Sequence, residues 1–78
     1  MGKLGISIRD HRKKKGLKVY QLADKVGVSP EFITEVERGY KYPSPKVLTK
    51  ICKILRFDFG PAYLRERHAD IMLFLKTR

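Results

Sequence analysis

The sequence is poor in the residue types that disulfide frameworks and metal sites need. Its 78 residues include one cysteine and two histidines. A single cysteine, Cys52, excludes an internal disulfide and a cysteine-rich metal site, which agrees with a reducing compartment. His11 and His68 lie far apart, without carboxylates or thiols at ligand spacing, and no glycine-rich phosphate loop follows a strand pattern. We therefore expect no metal, no cofactor, no small-molecule ligand and no enzymatic activity.

Long apolar runs are also missing. No segment approaches the roughly 18 apolar residues of a membrane-spanning helix, and residues 1–5 lack the apolar stretch of a signal peptide. A content of 42% hydrophobic and 33% charged residues is nevertheless typical of a globular protein. These features predict a single domain over residues 1–78, located in the cytoplasm and without a membrane partner.

Acidic residues are scarce compared with basic ones. Eight acids against 18 Lys and Arg give a net charge of +10. Residues 1–18 carry seven basic side chains and one acid, whereas residues 28–37 carry three acids and no base. An excess of positive charge favours a polyanionic partner. The run at residues 13–15 has an equally good explanation as a solvated helix end whose cations favour the C-terminal dipole.

Apolar spacing and capping residues predict five helices and no strands. Helix one covers about residues 6–15, helix two about 18–26, and helix three about 30–38, with glycines at positions 16, 27 and 39 as their ends. Two Ser-Pro pairs, Ser29-Pro30 and Ser44-Pro45, have the form of an N-cap followed by proline in the first turn, and start helices three and four. Asp58 caps a fifth helix. The predicted fold class is therefore all-α, a compact five-helix bundle.

Helices two and three are joined by a short connection that contains glycine, as in a helix-turn-helix. From Leu4 to Leu64 the sequence resembles the phage repressor and Cro type (XRE-like) helix-turn-helix family. The resemblance is carried by these spacings: Leu4-Gly5-x-x-Ile8-Arg9-x-x-Arg12, Gly16-Leu17, Leu22-Ala23-x-x-x-Gly27-Val28-Ser29, Ile33-x-x-Val36-Glu37-Arg38-Gly39, Pro43-Ser44 and Leu48-x-x-Ile51-Cys52-x-x-Leu55.

The resemblance implies a bundle of the lambda-repressor-like type, with the helix-turn-helix as helices two and three. It implies a sequence-specific, repressor-like transcriptional regulator that binds double-stranded DNA. It also implies an ion pair between Arg12 of helix one and Glu37 of helix three, with a structural role. The competing hypothesis keeps the fold but changes the partner, as in a protein-interaction or antitoxin-like module without specific base readout.

By the same resemblance, the early and outward positions of helix three read base edges. These candidates are Ser29, Pro30, Glu31, Thr34 and Glu35. Neutral or basic side chains are usual at such positions in the family, so the two glutamates and the proline depart from its pattern. A glutamate can still accept a hydrogen bond from cytosine N4. Phe32 has three open interpretations: packing beside helix two, contact with a thymine methyl group, or contact with a partner protein.

Phosphate contacts are expected from basic and tyrosine side chains on both flanks of helix three. The candidates are Lys13, Lys14, Lys18, Arg38, Tyr40, Lys41, Tyr42 and Lys46. If about six phosphates are neutralised, the logarithm of affinity should fall with the logarithm of salt concentration with a slope of about −5. Packing of the loop over helix four explains the two tyrosines equally well.

The C-terminal segment, residues 60–78, has more apolar surface than one helix face can bury. Family members commonly bind pseudo-palindromes as dimers with half-sites about 34 Å apart. We therefore predict a homodimer in which this helix packs on its symmetry mate. The dimer candidates are Tyr63, Leu64, Ile71, Met72, Phe74 and Leu75. The alternative is that the helix folds back and completes the core of the monomer.

Overall fold

The computed structural model describes residues 3–65, which form five helices. Four of them are α1 (Lys3–Lys14), α2 (Val19–Val26), α3 (Pro30–Glu37) and α4 (Pro45–Leu55), and α5 occupies residues 60–65 of the described range. This range contains no strand. None of its helices combines the length and the apolarity needed to cross a membrane. The all-α prediction is confirmed.

Both predicted Ser-Pro starts are confirmed as helix N-termini. The hydroxyl of Ser29 accepts a hydrogen bond from the backbone N–H of Phe32 at 3.1 Å. The hydroxyl of Ser44 accepts one from Val47 at 3.2 Å. Proline follows each serine, where its missing N–H and fixed φ cost nothing. At α5 the Asp58 carboxylate accepts from the amide of Gly60, the first residue of the helix, at 2.8 Å, whereas each serine cap reaches the third residue of its helix.

The core lies where α2 packs against α3 and α4, with α1 closing it from the side of α3 and α4. Its buried members are Leu4, Ile8, Leu22, Ala23, Val26, Ile33, Val36, Leu48, Ile51, Leu55 and Phe59. Burial of a leucine, isoleucine or phenylalanine side chain contributes about 1.5 to 3 kcal/mol relative to exposure. The two helices of the helix-turn-helix therefore share one apolar core with the rest of the bundle.

An aromatic cluster joins the segment after α4 to α1. The ring of His11 lies 4.1 Å from that of Phe57 and meets the ring of Phe59 edge-on at 5.3 Å, measured between centroids. His11 Nδ1 is 2.8 Å from the carbonyl oxygen of Ser7, so we assign the ring proton to this nitrogen. Cys52 is half-buried and its Sγ accepts from the Phe59 amide at 3.4 Å. The cluster fixes the chain that leads into α5.

Helix α1 begins at Lys3, three residues before the predicted start at Ile6. The prediction placed the start too late because it gave Gly5 no role in a helix. Gly5 is buried where α1 crosses α3, and an added Cβ would lie 2.5 Å from the carbonyl oxygens of both Val36 and Glu37. The absence of a side chain at this position lets the two backbones approach closely.

We expect Gly5→Ala to lower the free energy of unfolding by about 1 to 3 kcal/mol, because the methyl group would push α1 away from the backbone of α3. This loss should appear although alanine favours a helix over glycine by about 1 kcal/mol. Urea unfolding followed by far-ultraviolet circular dichroism measures it. Asp10→Ala, at an exposed position of α1, is the matched control and should stay within about 0.5 kcal/mol of the parent. A Gly5→Ala protein as stable as the parent would contradict the close crossing.

Candidate nucleic-acid interface

The turn between α2 and α3 is built around Gly27. This residue has φ 86° and ψ 33°, a left-handed conformation that glycine adopts without the steric cost of a side chain. The amides of Gly27 and Val28 both donate to the carbonyl of Ala23, at 2.8 and 3.0 Å. Two backbone bonds thus end α2, and the chain turns at once into the Ser29 cap of α3.

Helix α3 has one buried face and one open end. Ile33 and Val36 are buried in the core. The N-terminal residues Ser29, Pro30 and Glu31 are exposed. The structure therefore presents the first turn of α3 to solvent while the following turn anchors the helix, which is the arrangement that inserts a helix N-terminus into a major groove.

The remaining base-reading candidates, Thr34 and Glu35, are partly exposed. Glu35 lies beside the loop after α3, where its Oε1 is 3.5 Å from Nζ of Lys41. Its backbone carbonyl also accepts from the Tyr40 amide at 2.9 Å. Part of the negative charge of α3 is therefore offset by the loop that follows it. Glu31 forms no ion pair with any of residues 3–65.

Phe32 is half-buried and packs against the core. Of its three interpretations, packing within the domain is the one that this placement favours.

Arg12 and Glu37 form a buried ion pair between α1 and α3. Arg12 Nε donates to Glu37 Oε2 at 2.7 Å and Nη2 donates to Oε1 at 3.2 Å. The third contact of the guanidinium runs from Nη1 to the carbonyl of Leu17 in the α1–α2 loop, at 2.8 Å. Each of the two charged residues is only 8% exposed. A two-pronged arginine–carboxylate contact is geometrically demanding, so it fixes the orientation of α3 on α1.

A side chain of α2 itself, that of Gln21, caps the start of this helix. The backbone N–H of Lys18 donates to Oε1 of Gln21 at 2.8 Å, while the Lys18 side chain is exposed. This contact satisfies an amide that precedes the first helical turn. It places the Lys18 ammonium at the entry of the helix-turn-helix.

The other phosphate candidates fall into two groups. Most are exposed on the surface: Lys13, Lys14, Arg38, Tyr40, Lys41 and Lys46. Tyr40 is 75% exposed. Tyr42 instead is half-buried and meets the ring of Tyr63 edge-on, with the centroids 6.3 Å apart. Tyr42 therefore packs within the domain, and its ring contact is with α5 rather than with α4, over which the loop was predicted to pack.

Arg9 is not among the phosphate contacts predicted from the sequence. Arg9 is exposed and lines an open cleft of about 280 Å³ together with Arg12, Val19, Thr34, Glu37 and Arg38. Arg9 therefore lies at a cleft between α1 and α3. Its position in the sequence could have identified it, because Arg9 precedes Arg12 by about one helical turn and therefore lies on the same side of α1.

The predicted dimer surface lies only partly within the described residues. Tyr63 is half-buried against Tyr42, and Leu64 is 67% exposed. Ile71, Met72, Phe74 and Leu75 lie outside residues 3–65, as does most of the predicted C-terminal helix. The part that is described, α5, therefore offers one large exposed apolar side chain at the predicted position.

These elements define a helix-turn-helix protein, and comparisons with known proteins give the family. A helix-turn-helix family profile matches residues 8–60. The ImmF control region 10 kDa protein of Bacillus phage phi105 is 34% identical over 64 residues, which cover 82% of this chain and 71% of the phage protein. SlrR, an HTH-type transcriptional regulator of Bacillus subtilis, is 38% identical over 74 residues, which cover 94% of this chain and 46% of SlrR. The chain thus spans about half of SlrR.

Solved structures agree with this assignment. The structure of SinR, a master regulator for biofilm formation, in complex with DNA matches with a TM-score of 0.68 and 30% identity, covering 76% of this chain and 95% of the SinR chain. The chain belongs to the XRE-type helix-turn-helix family of DNA-binding transcriptional regulators.

We expect Arg12→Met and Glu37→Met each to lower the free energy of unfolding by about 3 to 5 kcal/mol, because each leaves one buried charge without its partner. The double variant should lose much less than the sum, since no charge then remains buried. Urea unfolding of all four proteins gives the coupling energy. Lys41→Ala, which removes the exposed partner of Glu35, is the control and should cost less than about 1 kcal/mol. Additive losses in the double variant would show that the pair does not act as a unit.

Proposed function

We propose that this protein is a sequence-specific, repressor-like transcriptional regulator that binds a pseudo-palindromic operator as a homodimer through α3. The observation that carries the proposal is the exposed N-terminal turn of α3 on a helix anchored by Ile33 and Val36. Such a turn fits the major groove of B-DNA, where base edges can be distinguished. A regulator of this kind acts where the DNA is, which in a bacterial cell is the cytoplasm.

The base-reading candidates of α3 differ in the contacts that they can make with a base. Ser29 and Thr34 supply hydroxyl groups that serve as donor or acceptor to any base. Glu31 is exposed and unpaired within the described residues, so its carboxylate is available to cytosine N4. Glu35 shares its charge with Lys41, and base contact would compete with that ion pair. Pro30 has no side-chain donor and contributes shape alone.

Affinity in this proposal comes from the cations around α3 rather than from α3 itself. Lys18 stands at the start of α2 and Lys46 at the start of α4, while Arg38 follows α3 directly; all three are exposed. Arg9 joins them through the cleft that it shares with Arg38. Neutralisation of phosphates by such side chains releases counterions and makes binding strongly dependent on salt.

We expect Glu31→Ala to relax the base preference at one position of the bound site by roughly 10-fold to 100-fold, the discrimination that one good base contact provides. Glu35→Ala should change the preference less, because Lys41 already holds that carboxylate. Selection of bound duplexes from a random pool, run in parallel with wild type and both variants, measures these preferences. If all three proteins select the same site with the same stringency, neither glutamate reads a base.

Salt dependence separates this function from the protein-interaction or antitoxin-like alternative. With about six neutralised phosphates, the slope of log affinity against log salt should be about −5. Lys46→Ala should reduce the magnitude of this slope by about 1 for every DNA sequence. Lys53→Ala, an exposed lysine further along α4, is the matched control with an unchanged slope. Retention of the selected duplex only at very low salt would favour the alternative.

The dimer is tested through Leu64, the exposed apolar side chain of α5. We expect wild type to sediment as a dimer at micromolar concentration and Leu64→Glu as a monomer with unchanged helical circular dichroism, because a charge at an apolar interface must be desolvated on association. Tyr20→Glu alters a similarly exposed residue of α2, at 59%, and should leave the dimer intact. A monomeric wild-type protein would contradict the proposed homodimer.

A further inference from the structure

One strongly basic groove lies outside the proposed DNA-binding surface. It is an open groove of about 450 Å³, lined by Lys15, Leu17, Lys25, Lys53, Ile54 and Arg56. Its cations come from three places: the α1–α2 loop, the last turn of α2, and the end of α4. All four cations are exposed, and the two apolar residues are half-buried and pack against the core. We call this feature the basic groove.

The positive charge of the basic groove is not balanced locally. Within residues 3–65, the ion pairs are Arg12 with Glu37 and Lys41 with Glu35, and neither involves a residue of the groove. Four like charges around one hollow repel one another, which disfavours the folded state. The four cations stand at the C-terminal ends of α1, α2 and α4, where the helix dipole favours positive charge, but no side chain within residues 3–65 neutralises them in an ion pair. An external negative charge can supply that counterpart.

Arg56 supports the same conclusion through its backbone. It ends α4 with φ 54° and ψ 46°, and it is the only residue of the described range other than glycine with positive φ. Glycine is the usual residue at a left-handed helix end because a Cβ there is crowded. An arginine at this position accepts backbone strain and places a cation in the basic groove. Backbone strain of this kind is concentrated at functional positions.

The basic groove is separate from the residues that we assign to DNA. None of the base-reading or phosphate candidates lines it. Along α4, Arg56 follows Lys46 by ten residues, or about 15 Å at the rise of an α-helix. Lys15 and Leu17 adjoin the phosphate candidates Lys14 and Lys18 along the chain, whereas the other three cations of the groove, Lys25, Lys53 and Arg56, adjoin none of these candidates.

We propose that the basic groove binds an acidic segment of a second protein, one that carries apolar side chains between its carboxylates. The floor formed by Leu17 and Ile54 offers an apolar surface for which a phosphate backbone has no matching group, whereas leucine-like side chains of a peptide do. A second copy of this chain is a poor occupant because its segment of mixed carboxylates and apolar side chains, α3, has Ile33 and Val36 buried in its own core. The groove gives the regulator a site for a protein that controls it or works with it.

The test uses a fluorescein-labelled 14-residue peptide of glutamate and leucine, with the leucines at helical i, i+3, i+4 and i+7 positions. Wild type should bind this peptide saturably, and Lys53→Ala/Arg56→Gly should bind it at least tenfold more weakly. Arg56→Gly alone should weaken peptide binding severalfold while the thermal midpoint stays equal or rises, because glycine relieves the left-handed strain. That combination separates loss of a binding group from loss of the fold.

Lys46→Ala is the matched control on the same helix, and the two sites should respond in opposite ways. Lys46→Ala should weaken binding of the selected duplex and leave peptide binding unchanged. Lys53→Ala/Arg56→Gly should weaken peptide binding and leave duplex binding unchanged. Equal peptide affinity of wild type and the double variant would overturn the proposal. It would also be overturned if polyglutamate of the same charge bound as tightly as the peptide, or if the selected duplex competed with the peptide for the groove. Failure of duplex binding alone leaves this test unaffected.

Discussion

The guanidinium of Arg12 connects α1, α3 and the α1–α2 loop, and so positions the helix that we propose to read DNA. It holds the carboxylate of Glu37 with two of its nitrogens and the carbonyl of Leu17 with the third, and so ties α3 and the α1–α2 loop to α1. A buried ion pair adds little net stability when its charges must first leave water. Its contribution here is geometric, since the pair fixes the orientation of α3 and, in the proposed complex, the orientation of α3 decides which side chains reach a base. Gly5 complements it by letting the same two helices touch at the backbone.

The distribution of charge follows from this arrangement. Helix α3 carries three acids, but the structure uses them in three ways: Glu37 is buried in the ion pair, Glu35 faces Lys41, and Glu31 is exposed. Among the three acids of α3, only Glu31 is therefore left as an exposed carboxylate without an ion pair to any of residues 3–65. Exposed cations on α1, at the start of α2 and in the segment after α3 outnumber this carboxylate, which reconciles an acidic α3 with a polyanionic partner.

Local signals in the sequence predicted most of the fold. Both serine caps, the Gly27 turn and the apolar faces of α2 and α4 depend on neighbouring residues, and such features can be recognised without tertiary information. Contacts between distant segments could not be recognised in this way. The stacking of His11 on Phe57, the burial of Phe59 and the ion pair of Glu35 with Lys41 depend on how the helices cross. The start of α1 was misplaced for the same reason, because the role of Gly5 exists only once α3 is packed against it.

The aromatic cluster of His11, Phe57 and Phe59 has a geometric consequence for a two-fold assembly. It clamps the chain between α4 and α5 to the helix that also carries Arg12, so α5 leaves the domain in a direction set by the helix that orients α3. If α5 joins two copies, this packed connection sets the relative position of the two subunits. The distance and the tilt between the two copies of α3 would then be set by each subunit before DNA binds. The dimer would bind operators whose half-site spacing matches that distance and would not adjust to other spacings.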